Sequence, residues 1–260
     1  MVGLFLPAGD ENIIRRRPIV NYMIIALNII IFLTLYFNPQ LVGAKSYDEV
    51  IWNLGFKPYY ILSLSNLWTI FVAMFIHADF IHLFGNMWFL YIFGDNIESS
   101  MGHLRYLVFY ILSGIGAVIF HVMSVALIPK EALLNRGFEV FNPWMVPAVG
   151  ASGAISGVLG SYFLLYPRAR VRVLWFIWWY PVIWVLPAAI YIGFWFIFQL
   201  IMGIWTLTGI PTGVAYWAHI GGFLTGLALT PIFLDKEFIR RVRMALWYRG
   251  IEYGEHEWYY

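Results

Sequence analysis

VLWFIWWYPVIWVLPAAIYIGFWFIFQLIMGIWTLTGIPTGVAYWAHIGGFLTGLALTPIFL, residues 173–234, runs for 62 positions without an Asp, Glu, Lys or Arg. A membrane-crossing helix takes about 20 mainly apolar residues, because hydrocarbon offers no partner to a free backbone N–H or C=O. The stretch is too long for one crossing and suits two with a turn between them. Thr208-Gly209-Ile210-Pro211-Thr212-Gly213 supplies the turn chemistry. Spans are therefore predicted over 183–207 and 214–234, with Trp175, Trp178, Trp179 and Tyr180 as an interfacial aromatic belt before the first of them.

The rest of the chain has the same character. Of its 260 residues 62% are hydrophobic and only 12% charged, against about 45–50% and about 25% in an ordinary soluble domain. So few charges cannot cover a water-exposed surface, and a net charge of +2 is too small for nucleic-acid binding. The absence of cysteine removes disulfides, a thiol nucleophile and Cys-based zinc sites. An all-α polytopic membrane protein remains.

Four earlier spans complete the pattern. Residues 19–37 are free of charge and follow Arg15, Arg16 and Arg17, in the manner of a permanent span rather than a cleaved signal. Further spans are read at 80–97, 106–128 and 148–166, with Leu67–Ala78 as an apolar, half-embedded loop segment. Six spans divide the 16 basic residues 12:4, the larger group including Arg15–Arg17, Arg105, Arg168, Arg170, Arg172 and the C-terminal cluster, and the smaller Lys45, Lys57, Lys130 and Arg136. That asymmetry places both termini in the cytoplasm. The expected organisation is a cytoplasmic segment 1–18, a six-helix membrane domain 19–234, and a cytoplasmic tail 235–260.

Polar side chains inside spans are the informative ones, since burying them is unfavourable without pairing or function. In this topology the second, fourth and sixth spans all enter from the external side. Each carries its polar groups within about two turns of that end: His82 and Asn86, then Ser152, then His219, at a common depth near ~10 Å. Gly153, Gly157 and Gly160 form a small-residue face beside Ser152, and Gly222 and Gly226 repeat the device after His219. Packing these faces together would bring Ser152 and His219 within hydrogen-bond reach, and a serine hydroxyl needs such a base to become a nucleophile. His82 and Asn86 share a helical face and can donate hydrogen bonds to a developing oxyanion, with backbone N–H groups at the start of the serine helix. His77 lies at the membrane rim, where it would orient the loop.

Three motifs, Gly150-Ala151-Ser152-Gly153, His77-x4-His82-x3-Asn86, and Ala218-His219 with Gly222-x3-Gly226, resemble those of the rhomboid family of intramembrane serine proteases. The resemblance implies a six-helix rhomboid-like bundle and cofactor-free, metal-free peptide hydrolysis by a Ser–His dyad. It implies Ser152 as nucleophile, His219 as general base, and His82, Asn86 and the Ser152 N–H as oxyanion donors. Gly150 and Gly153 support them, and single-span membrane proteins in the bilayer are the implied substrates. Two departures stand out: Ser156 occupies a position that is aromatic in some members and stacked on the histidine, and Trp68-Thr69 stands where some have Trp-Arg.

Other readings remain. His77, His82 and His219 could supply a three-imidazole zinc set, but there is no HExxH helix and no carboxylate at that depth except Asp79 at the rim. A small transporter, or an inactive rhomboid-like protein that binds membrane clients, would be non-enzymatic alternatives. Ser156 and His121 read as structural, His103 and His256 as solvated. A prokaryotic plasma membrane, with the site opening to the extracytoplasmic side, is the expected location; oligomeric state is left open by the sequence.

Overall fold

The computed structural model describes residues 6–10, 16–128, 142–177, 180–209, 212–238 and 240. Six long helices dominate: α1 (Ile19–Phe37), α2 (Phe80–Met101), α3 (His103–Ala126), α4 (Ser152–Leu165), α5 (Ala188–Thr206) and α6 (Tyr216–Phe233). Shorter turns at Tyr47–Leu54, Tyr59–Leu62 and Thr69–Phe75 fill the first loop. The last of these meets α2 at a bend of 92°, which gives shape to the predicted apolar segment 67–78.

By length and composition α1, α3 and α5 are apolar enough to cross a membrane, and the bent pair ending in α2 makes a fourth. The other two fall short for a physical reason. α4 has 14 residues, and α6 is diluted by glycine, threonine and His219. Both lie in the middle of the bundle, α4 against α2, α3 and α6, where a helix needs little lipid-facing surface.

The expectation of an all-α chain is corrected by a three-stranded antiparallel sheet in the order β1 (Leu6–Asp10), β2 (Arg170–Ile177), β3 (Tyr180–Pro187). Residues 183–187, assigned above to the fifth span, form the end of β3, and α5 begins only at Ala188. Trp175 and Tyr180 thus belong to a hairpin rather than a helix flank, while Trp178 and Trp179 lie outside the described residues. The segment 1–18 is likewise more than a tail, since β1 pairs from Leu6↔Leu174 to Asp10↔Val171. Trp88 Nε1 of α2 donates to Pro7 O at 2.6 Å, and Asp10 accepts from Tyr162 and Asn96, so β1 ties α2 and α4 to the hairpin.

Polar clamps set the helix ends. Glu98, fully buried, accepts from the N–H groups of Val20 (3.0 Å) and Asn21 (2.7 Å). These are among the first-turn donors of α1 that have no acceptor within their own helix. His103, exposed to solvent as expected, also pairs with the same carboxylate. Between α2 and α3, Gly102 turns the chain at φ +84°, a conformation that disfavours any side chain. Arg16 bonds Asp235 at 2.7 Å, and its guanidinium lies 3.6 Å above the Phe238 ring. Asp235 N–H also donates to Ser100 O, bringing the start of α1 and the ends of α2 and α6 to one end of the bundle. Lys130, Arg136, His256 and nearly all of the tail after 238 lie outside the described residues.

The α4–α6 contact is made through backbone. A Cβ on Gly222 would lie 1.9 Å from Gly153 O, one on Gly226 2.1 Å from Gly157 O, and one on Gly160 2.3 Å from Phe223 O. This is the close approach that small-residue faces permit in membrane bundles.

Candidate active site

Ser152 is the first residue of α4 and His219 stands in the first turn of α6. Because the two helices nearly touch through their glycines, Ser152 Oγ comes within 2.9 Å of His219 Nε2. A hydroxyl and an imidazole at that distance can exchange a proton, which suits base-assisted nucleophilic attack.

The chain approaches Ser152 through a fixed loop. Phe56 and Ala148 exchange backbone hydrogen bonds at 3.0 and 2.7 Å, and Gly150 N–H donates to Ala73 O at 2.9 Å. Gly150 has φ +116°, and a Cβ there would meet the His82 ring at 2.7 Å. Glycine is thus required twice at this position, by backbone angle and by space. His82 and Asn86 accordingly stand directly against the backbone that leads into the serine.

Asp79 caps α2 by accepting from His82 N–H at 2.8 Å, which fixes where the helix starts. His82 Nδ1 accepts from Ala78 N–H at 3.2 Å, so the neutral ring carries its proton on Nε2, on the side of Gly150. One turn later, Asn86 Nδ2 is buried and has no hydrogen-bond partner among the described residues. Two donors and the leading N–H of α4 therefore converge beside Ser152. An unsatisfied buried donor is unfavourable by about 1–3 kcal/mol, and the deficit disappears if a substrate oxygen arrives there.

A cleft of about 500 Å³ opens over these groups, between His82, Asn86 and Phe89 on one wall and Trp195 and Val214 on another. Its floor includes Ser152, Ser156 and His219. Ser156 donates to Ser152 O at 2.7 Å, the back-bonding expected of a structural helix serine.

His77 is not part of this convergence. It is fully buried, its ring lies 5.1 Å from that of His82, and its carbonyl accepts from Tyr47 OH at 2.6 Å, which anchors the first loop. Gly157, Gly222 and Gly226 serve packing, as does Gly153. His121 lines a small cavity of about 60 Å³ behind Ser152 and Gly153.

Sequence reasoning missed Gln199 and Trp195. Gln199 Oε1 is 2.9 Å from His219 Nδ1, and the Trp195 ring centroid is 6.1 Å from that of His219. Both come from α5, four residues apart and so on one face. The available signal was a lone carboxamide in an otherwise apolar span.

A helical membrane bundle with a serine–histidine pair in hydrogen-bond contact thus defines the class. The Rhomboid domain matches residues 64–236, and the chain belongs to the rhomboid family, which includes intramembrane serine proteases. It is 30% identical over 197 residues to RHOMBOID-like protein 6, mitochondrial, of Arabidopsis thaliana, covering 76% of this chain and 53% of that one. It is 30% identical over 168 residues to RHOMBOID-like protein 12, mitochondrial, of the same plant, covering 63% and 47%. To Rhomboid protease GluP of Bacillus subtilis it is 30% identical over 150 residues, covering 58% and 25%. The chain spans about half the length of the two plant relatives and a quarter of GluP.

Proposed function

We propose that this protein is an intramembrane serine endopeptidase that cleaves single-span membrane proteins in or near their transmembrane segment. The observation that carries the reading is the 2.9 Å contact between Ser152 Oγ and His219 Nε2, beside the unpaired Asn86 amide. Ser152 Oγ attacks the scissile carbonyl carbon while His219 Nε2 takes its proton. Asn86 Nδ2–H, His82 Nε2–H and the Ser152 N–H hold the oxyanion. The C–N bond then breaks as His219 returns the proton to the leaving amine. A water, deprotonated by the same imidazole, then attacks the acyl carbon; the ester bond to Ser152 Oγ breaks and His219 returns the proton to that oxygen. All bond changes are met by these groups and water.

The six helices are assigned as six crossings with both termini cytoplasmic, on the 12:4 distribution of basic residues. The shared end of α1, α2 and α6 at Arg16, Ser100 and Asp235 supports that alternation. Ser152 then lies below the outer surface of a plasma membrane, and water reaches it through the cleft.

The test uses purified protein with a single-span substrate, beside Ser152→Ala and His219→Ala. Cleavage by the wild type and none by either variant, all three keeping the same helical content in detergent, supports the reading. Equal cleavage by wild type and Ser152→Ala refutes it. Binding without cleavage by the wild type favours a client-binding protein.

A further inference from the structure

We infer that Gln199 is a positioning residue for His219, fixing its imidazole in the Nδ1–H form so that Nε2 faces Ser152 as the acceptor. The inference rests on the proteolytic reading above. Both ring nitrogens of His219 are engaged, Nε2 by Ser152 Oγ and Nδ1 by Gln199 Oε1, each at 2.9 Å. A base that is to take the serine proton must leave Nε2 unprotonated, so its single ring proton sits on Nδ1. That proton needs an acceptor, and a carboxamide oxygen provides one without introducing a charge into the bundle.

The placement of Gln199 argues for a specific task. It is 5% exposed, on a helix with no charged residue, where an unnecessary buried amide is disfavoured. Trp195, Gln199 and Gly203 recur every four positions along α5 and all meet α6: the Trp195 ring lies beside His219, and Gly203 O accepts from Trp217 Nε1 at 2.8 Å. The opposite side of α5 exposes Phe194, Ile197 and Ile201. The backbone seat at Gly203 thereby sets the height of Gln199 against the imidazole. Among the described residues no carboxylate bonds His219, so the amide fills the place of an orienting acid.

Three variants of the full chain separate orientation from packing: Gln199→Met, which keeps the length but removes the acceptor, Gln199→Glu, which keeps an acceptor, and Ser152→Ala. Loss of the acceptor is expected to lower kcat by about 10- to 100-fold with KM little changed. The rate of labelling by a fluorophosphonate, which reacts at the serine without engaging the rest of the substrate site, falls alongside. Gln199→Glu is expected to restore most of both. Nitrogen-15 NMR of labelled histidine should show His219 as the Nδ1–H form in wild type and as a mixture in Gln199→Met. Wild-type kcat and tautomer in Gln199→Met overturn the inference, and so does equal impairment in the Met and Glu variants. If wild type and Ser152→Ala are equally inert towards substrate and probe, the proteolytic reading fails instead, and the tautomer measurement still decides whether Gln199 orients His219.

Discussion

Gly222 passes so close to Gly153 that a methyl group on Gly222 would sit 1.9 Å from the Gly153 carbonyl oxygen. The contact lies one residue after Ser152 and three after His219, so the spacing of α4 and α6 is also the spacing of the two reacting groups. Gly222→Ala should force the helices apart, lower stability by at least the ~1–3 kcal/mol of an overpacked core, and slow fluorophosphonate labelling. Thermal unfolding in detergent, run with the labelling assay, checks this; unchanged Tm and labelling would contradict the packing described.

Asn86→Ala should reduce kcat, with a ceiling of about 10²–10³-fold for the loss of a sole oxyanion donor. The fall should stay below that ceiling because His82 Nε2–H and the Ser152 N–H share the charge. Since Asn86 Nδ2 has no partner among the described residues, the variant should unfold at a temperature no lower than wild type. A large drop in Tm would show that the amide is structural.

Glu98→Ala removes the acceptor for two N–H groups at the start of α1 and the partner of His103. Each abandoned buried donor is worth about 1–3 kcal/mol, so a marked loss of Tm is expected. Glu98→Gln keeps one oxygen acceptor and should lose less. Equal Tm values for both variants would remove the capping role.

Asp10 gives a pH signature. Burial raises its carboxyl above the ordinary 3.8, only partly offset by hydrogen bonds from Tyr162 and Asn96 and by the nearby Arg172. The folded protein therefore holds this proton at pH values where the unfolded chain has lost it. The group's stabilisation is complete below pH 3.8 and is lost as the pH rises through the raised value. Asp10→Asn keeps an oxygen acceptor without the charge, so its stability relative to wild type should improve as the pH rises across that window. Parallel Tm curves for the two proteins would sink the prediction.

The long helices were legible because lipid-facing crossings demand uninterrupted apolar runs, which α1, α3 and α5 supply. Ser152, His219, His82 and Asn86 were legible because a polar group inside such a run stands out. The hairpin was not, although the signal was present. Arg170-Val171-Arg172-Val173 alternates exposed with buried positions, and Pro181 and Pro187 bracket a run rich in β-branched residues, Val182-Ile183-Trp184-Val185-Leu186. The continuous aromatic and aliphatic character of 173–187 masked that short alternation. Gln199 was hidden for a different reason. It lies 20 residues before His219 and on another helix, and no spacing rule joins the two without the bundle.

Leu6 pairs with Leu174, 168 residues further along the chain. During synthesis the segment around Leu6 therefore has no strand to join until α1, α2, α3 and α4 have all been made. Closing so long a loop is an entropic burden that earlier helix packing relieves by holding the two ends near each other. The sheet therefore cannot close before α4 has been made, and once closed it tethers the segment ahead of α1 to the hairpin that leads into α5.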